Sequence, residues 1–108
     1  MFSIKGNDIS LTRGDTLFLT VGLTDNDGEP YTPVEGDRIR FAMKKRINSK
    51  DLIMYKNISL EDLTFEIKPE DTKELAYGTY VYDIELTDAE DHVTTVILGD
   101  FKITEEVY

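Results

Sequence analysis

Arg13-Gly14-Asp15 is a tripeptide that some extracellular ligands show to integrins, and here it leads directly into the alternating run "DTLFLTVGLT". Adhesion needs the three residues displayed on a loop. The competing role is a bend in which Gly14 gives backbone freedom and Asp15 a turn hydrogen bond before a strand. A second candidate is "TDNDGEP", where Asp25, Asp27 and Glu29 alternate around Gly28 as in the start of an EF-hand loop. Counted from Asp25, such a loop needs glycine at the sixth place and a bidentate glutamate at the twelfth, where this chain has Pro30 and Gly36. Asp27-Gly28 has hairpin-turn chemistry instead. His92 is the only histidine; alone it cannot form a zinc site with carboxylates that merely lie nearby in a loop, and as a general base it would need a partner to orient it, so a solvated turn histidine is expected. Ser3, Ser10, Ser49 and Ser59 lie in no G-x-S-x-G context, no phosphate-cradling glycine loop occurs, and the 0 cysteines exclude thiolate chemistry. The residues predict no enzyme, no metal site and no cofactor.

The elements that would carry a site are strands. Leu17, Leu19, Val21 and Leu23 share one face of "DTLFLTVGLT", with Phe18, Thr20, Gly22 and Thr24 on the other. "DRIRFAMKKR" sets Ile39, Phe41 and Met43 inward and Arg38, Arg40 and Lys44 outward, so the six basic residues from Arg38 to Lys50 are expected to line a solvent face. "DLIMYKNI" and "LTFEIK" are shorter strands, and "TYVYDIELTD" places Tyr80, Tyr82, Ile84 and Leu86 together. "HVTTVILGDFKIT" keeps Val93, Ile97, Phe101 and Ile103 on one parity. With "DISLT" the count reaches about seven strands, which suits a sandwich or barrel. Only "PEDTKELAYG" reads as helical, a turn or two started at Pro69 and stopped at Gly78.

At 108 residues the chain is one domain, 1–108. The 40% hydrophobic and 31% charged residues are a globular profile, not a disordered one. The absence of cysteine favours a reducing compartment, and "MFSIKGNDIS" lacks a signal peptide's features, so a soluble, unexported protein is expected. Net charge is -10; residues 1–60 carry 9 basic and 8 acidic groups, residues 61–108 carry 3 and 14. Phosphate backbones and anionic lipids would be repelled, so neither nucleic acid nor membrane is an expected partner. Phe18, Val81, Val96 and Leu98 fall on the wrong parity for the core and form the candidate interface. A second sheet, a loop or another subunit would each cover them, and a homo-oligomer is the expectation adopted.

Read together, "LTRGDTLFLTVGLTDNDGEPYTP", "DRIRFAMKK", "DTKELAYGTYVYDIEL" and "GDFKITEEV" resemble a group of bacteriophage and prophage tail and baseplate proteins with immunoglobulin-like domains, such as the amino-terminal domain of baseplate upper proteins. Tyr80 followed two places on by Tyr82 also resembles the immunoglobulin tyrosine corner, with Tyr82 where a cysteine would stand. The resemblance implies an all-β, immunoglobulin-like antiparallel β-sandwich of about seven strands with one short helical connector. It further implies a non-enzymatic virion structural protein, a tail or baseplate accessory subunit whose partners are other phage structural proteins. Such a protein is assembled in the bacterial host cytoplasm and resides in the virion. The alternative is an acidic binding module or inhibitor from a mobile element, occupying a basic groove of a host nucleic-acid-binding protein. A carbohydrate-binding sandwich shares the architecture but would lack a tryptophan platform here.

Overall fold

The alternating runs become eight strands and one helical turn in the structure, a computed structural model that describes residues 2–5 in backbone only, and residues 7–24 and 27–106 with their side chains. In chain order these are β1 (Phe2–Lys5), β2 (Asp8–Thr12), β3 (Leu17–Thr20), β4 (Arg38–Lys44), β5 (Met54–Asn57), β6 (Thr64–Ile67), α1 (Pro69–Thr72), β7 (Gly78–Thr87) and β8 (Val93–Thr104). A six-stranded sheet of order β1-β2-β8-β7-β4-β5 faces a two-stranded sheet of β3 and β6. The chain is an all-β sandwich. The order β8-β7-β4-β5 opposite β3-β6 corresponds to strands G-F-C-C′ opposite B-E of the immunoglobulin plan.

One pair departs from the antiparallel expectation: β2 runs parallel to β8, with Ile9 beside Phe101 and Thr12 beside Thr104. The chain leaves β2 for the second sheet at Gly14, so β2 must end where β8 ends, and the Arg13 amide donates to the Thr104 carbonyl at 3.0 Å. β3 is shorter than its alternation. Its partner β6 begins at Thr64; Leu63, at a left-handed φ of 56°, gives the pair its last bond by accepting the Val21 amide at 2.8 Å. Past that bond, residues 22–24 keep the buried–exposed alternation with only the bridge between Thr24 and Pro30, where the Tyr31 amide donates to the Leu23 carbonyl at 3.0 Å.

Phe41 of β4 packs on Phe65 of β6 across the sandwich, with ring centroids 5.0 Å apart, and on Tyr82 and Phe101 within its own sheet at 5.4 and 6.2 Å. Leu11, Leu17, Met43, Ile67 and Ile103 complete the fully buried layer. The tyrosine corner is present, since the Tyr80 hydroxyl donates to the Ala76 carbonyl at 2.7 Å. Tyr82 fills the cysteine position with a ring, and its hydroxyl donates to the Asn7 carbonyl in the β1–β2 turn.

Burial, and secondarily the Asp8 charge, push the Tyr82 phenol up to about 12. The fold therefore favours the neutral phenol, whose contribution is complete below the ordinary tyrosine value of about 10 and vanishes as pH rises through the folded one. Denaturant midpoints measured across that alkaline window are expected to fall for the natural chain and to fall less for Tyr82→Phe. Equal slopes for the two proteins would contradict this assignment.

Candidate interaction surface

Three of the sequence candidates are tied into the scaffold. The Arg13 guanidinium lies 4.2 Å from the Tyr77 ring centroid and donates to the Leu75 carbonyl at 3.3 Å and to the Glu106 carboxylate at 2.9 Å. Gly14 has φ of 85°, its amide donates to the buried Thr72 hydroxyl at 2.8 Å, and the Asp15 amide closes the turn on the Thr12 carbonyl at 3.1 Å. Arg13-Gly14-Asp15 is thus the bend that passes the chain between sheets, with its arginine held by internal partners. Gly28 takes φ of 81° inside the loop closed by Thr24 and Pro30, as turn chemistry requires. Asp25 lies outside the described residues. His92 is exposed in the β7–β8 turn with its Nδ1 3.0 Å from Asp88 Oδ2. Asp88 Oδ1 accepts the His92 and Glu90 amides, both at 2.9 Å. Those bonds, the His92 amide foremost, hold the Asp88 carboxyl below its ordinary value. Among the described residues no three His, Asp or Glu side chains are grouped to hold a metal ion.

The four interface candidates do not form one patch. A bulge in β8 between the Ile84–Ile97 and Glu85–Thr95 pairs makes Val96 an extra residue, and its side chain is half-buried against the core instead of facing outward. The same bulge inverts the parity before it, so Val93 stands opposite Thr87 on the exposed side and not with Ile97. Phe18 is 69% exposed on the outer face of the two-stranded sheet. Val81 and Leu98 lie on the other side of the molecule, on the outer face of the six-stranded sheet.

There they border a groove of about 430 Å³ between that face and residues 45–53, the loop joining β4 to β5. Its apolar walls are Val81, Leu98, Tyr55, Ile47 and Leu52, of which the last four are at least half exposed. Arg40 crosses its floor and pairs with Asp83 and with Glu85, each at 2.6 Å. Burial opposes the Arg40 charge, but the two carboxylates outweigh it and raise the guanidinium above its ordinary value. Lys44 and Lys50 stand at the rim. Among the described residues neither they nor Lys45 and Arg46 make an ion pair, whereas Arg38 reaches Asp91 at 2.7 Å and Lys56 reaches Asp71 at 2.6 Å.

This surface is suited to holding another chain: apolar walls supply the area and a basic rim sets the sign of the partner. Sequence reasoning found Val81 and Leu98 but passed over Ile47 and Leu52. The available signal was two branched apolar residues inside the otherwise polar "KKRINSKDL". Comparison with protein-family models and with curated proteins gives no match.

Proposed function

We propose that the protein is a non-enzymatic structural component of a phage particle, a tail or baseplate accessory subunit that works through protein contacts made by the groove. One observation carries the reading: large apolar side chains are gathered around a concave surface on the open face of a sheet that is otherwise well packed. The resemblance of the four sequence stretches to phage tail and baseplate proteins supplies the setting. Gradient-purified particles from an induced host are expected to contain the chain, and particles from a host carrying Ile47→Asp with Leu98→Asp are expected to lack it. Particles free of the natural chain would sink the reading.

The acidic-inhibitor alternative rests on the 14 acidic groups of residues 61–108. Five of these, Asp71, Asp83, Glu85, Asp91 and Glu106, are ion-paired within the chain. That leaves a weaker charge display than composition suggests.

A further inference from the structure

We infer that copies of this chain join head to tail, the exposed Phe18 of one copy entering the groove of the next. The inference rests on the reading of the groove as a contact surface and names its occupant. Phe18 on β3 stands opposite Glu66 on β6, with Thr20 and Thr64 as the next outward pair. It is a single aromatic projection on a polar, acidic face. Asp62 adjoins this face, and hydrogen bonds led by the Thr64 hydroxyl keep its carboxyl below its ordinary value, hence ionised.

Charge selects between the possible arrangements. Residues 38–56 hold seven of the 12 basic groups and one acidic group, Asp51, for a net of +6. The rest of the chain holds 5 basic and 21 acidic groups, a net of -16. A symmetric dimer through the groove would set two cationic loops together, and one through Phe18 would set Glu66 and Asp62 against their own copies. Both arrangements oppose like charges. Phe18 in the groove brings Glu66 and Asp62 toward Lys44 and Lys50, so the apolar contact and the charges agree. The two surfaces lie on opposite outer faces, so each copy offers one of each and the contact repeats into a ring or an open filament. At physiological salt the Debye length of about 8 Å limits the reach of the remaining negative charge, leaving the local pairs to decide.

Two variants separate the surfaces: Phe18→Ser removes the projection, and Ile47→Asp with Leu98→Asp spoils the groove. The three positions are 69%, 69% and 52% exposed, so unchanged melting temperatures are expected and will verify folding. Sedimentation velocity in physiological salt should show species larger than dimers for the natural chain, growing with concentration. Each variant alone should be monomeric, and an equimolar mixture should give a one-to-one dimer and nothing larger, because only one intact contact is available. A natural chain that stays monomeric up to about 1 mM overturns the inference. So does a mixture that stays monomeric, or an oligomer that survives Phe18→Ser. If the natural chain is monomeric yet enters particles and the groove variant does not, the groove reading stands and only its self-occupancy falls.

Discussion

Phe41→Ala is expected to cost about 3–5 kcal/mol, the range for deleting a large buried aromatic side chain. Phe41 is wholly buried and is the ring on which the two sheets meet, touching Phe65 across the sandwich and Tyr82 and Phe101 beside it. Its neighbours come from three other strands of a hydrogen-bonded framework, so they cannot all move inward to fill the space. Against a total stability of about 5–15 kcal/mol, the loss would leave the chain marginal at body temperature. Urea denaturation followed by fluorescence or circular dichroism measures it directly. The informative control is Phe18→Ala, the same chemical change at an exposed position, expected within about 0.5 kcal/mol of the natural chain. Similar costs at both positions would mean that the core is assigned to the wrong face.

The second large effect comes from adding a single methyl group. A Cβ on Gly99 would collide with the backbone carbonyl oxygen of Asn7 and stand 3.1 Å from the Tyr82 ring. Neither neighbour yields cheaply. Asn7 belongs to the turn between β1 and β2, which also receives the Tyr82 hydroxyl, and Asp8 in that strand accepts the Asp100 amide at 3.0 Å. Gly99→Ala must push the turn off β8 or displace a core ring, a change expected to cost about 1–3 kcal/mol as overpacking does. Each kcal/mol corresponds to roughly 4–8 °C of melting temperature in a chain near this size. Gly22→Ala is the matched comparison, because nothing lies within 4 Å of its added carbon. Equal melting temperatures for the two variants would show that the turn does not rest on Gly99.

What could be read from residues alone followed local chemistry. Ile39, Phe41 and Met43 are buried in β4, Tyr80, Tyr82 and Ile84 in β7, and Pro69 opens the helical turn. In each case the pattern and the burying surface lie within one element. Pairing was less legible, because it depends on a partner many residues away. The alternation of residues 21–24 looks like strand, yet the ladder with β6 stops at the bond from the Val21 amide to the Leu63 carbonyl, and nothing local announces that β2 will lie parallel to β8. The bulge at Val96 is the sharpest instance: parity counting assumes that every residue advances the strand by one step, and one extra residue reverses the count for Val93 and turns Val96 toward the core. The groove was half visible. Val81 and Leu98 stood out as apolar residues on an outer face, but the loop that walls them belongs to another hairpin and meets them only after folding.

The parallel ladder between β2 and β8 also sets the order in which the protein can be made. Thr12 and Thr104 are 92 positions apart. Closing a loop of that length costs about 4 kcal/mol beyond the constant term, and no short-range contact along this ladder offsets it in advance. On a ribosome adding roughly 5–20 residues per second, β2 waits for several seconds before its partner exists. During that wait Ile9 and Leu11, both buried in the finished sheet, have only the β1 hairpin on one edge. The hairpin of β7 and β8 can form from neighbours alone, whereas β2 must be captured by β8, which is made long after it. A chain whose decisive contacts span nearly its whole length belongs with the slow all-β folders, in the millisecond-to-second range. β2 is therefore secured only after the much later β8 has been made, and its unpaired edge is where premature contact with other nascent copies would begin.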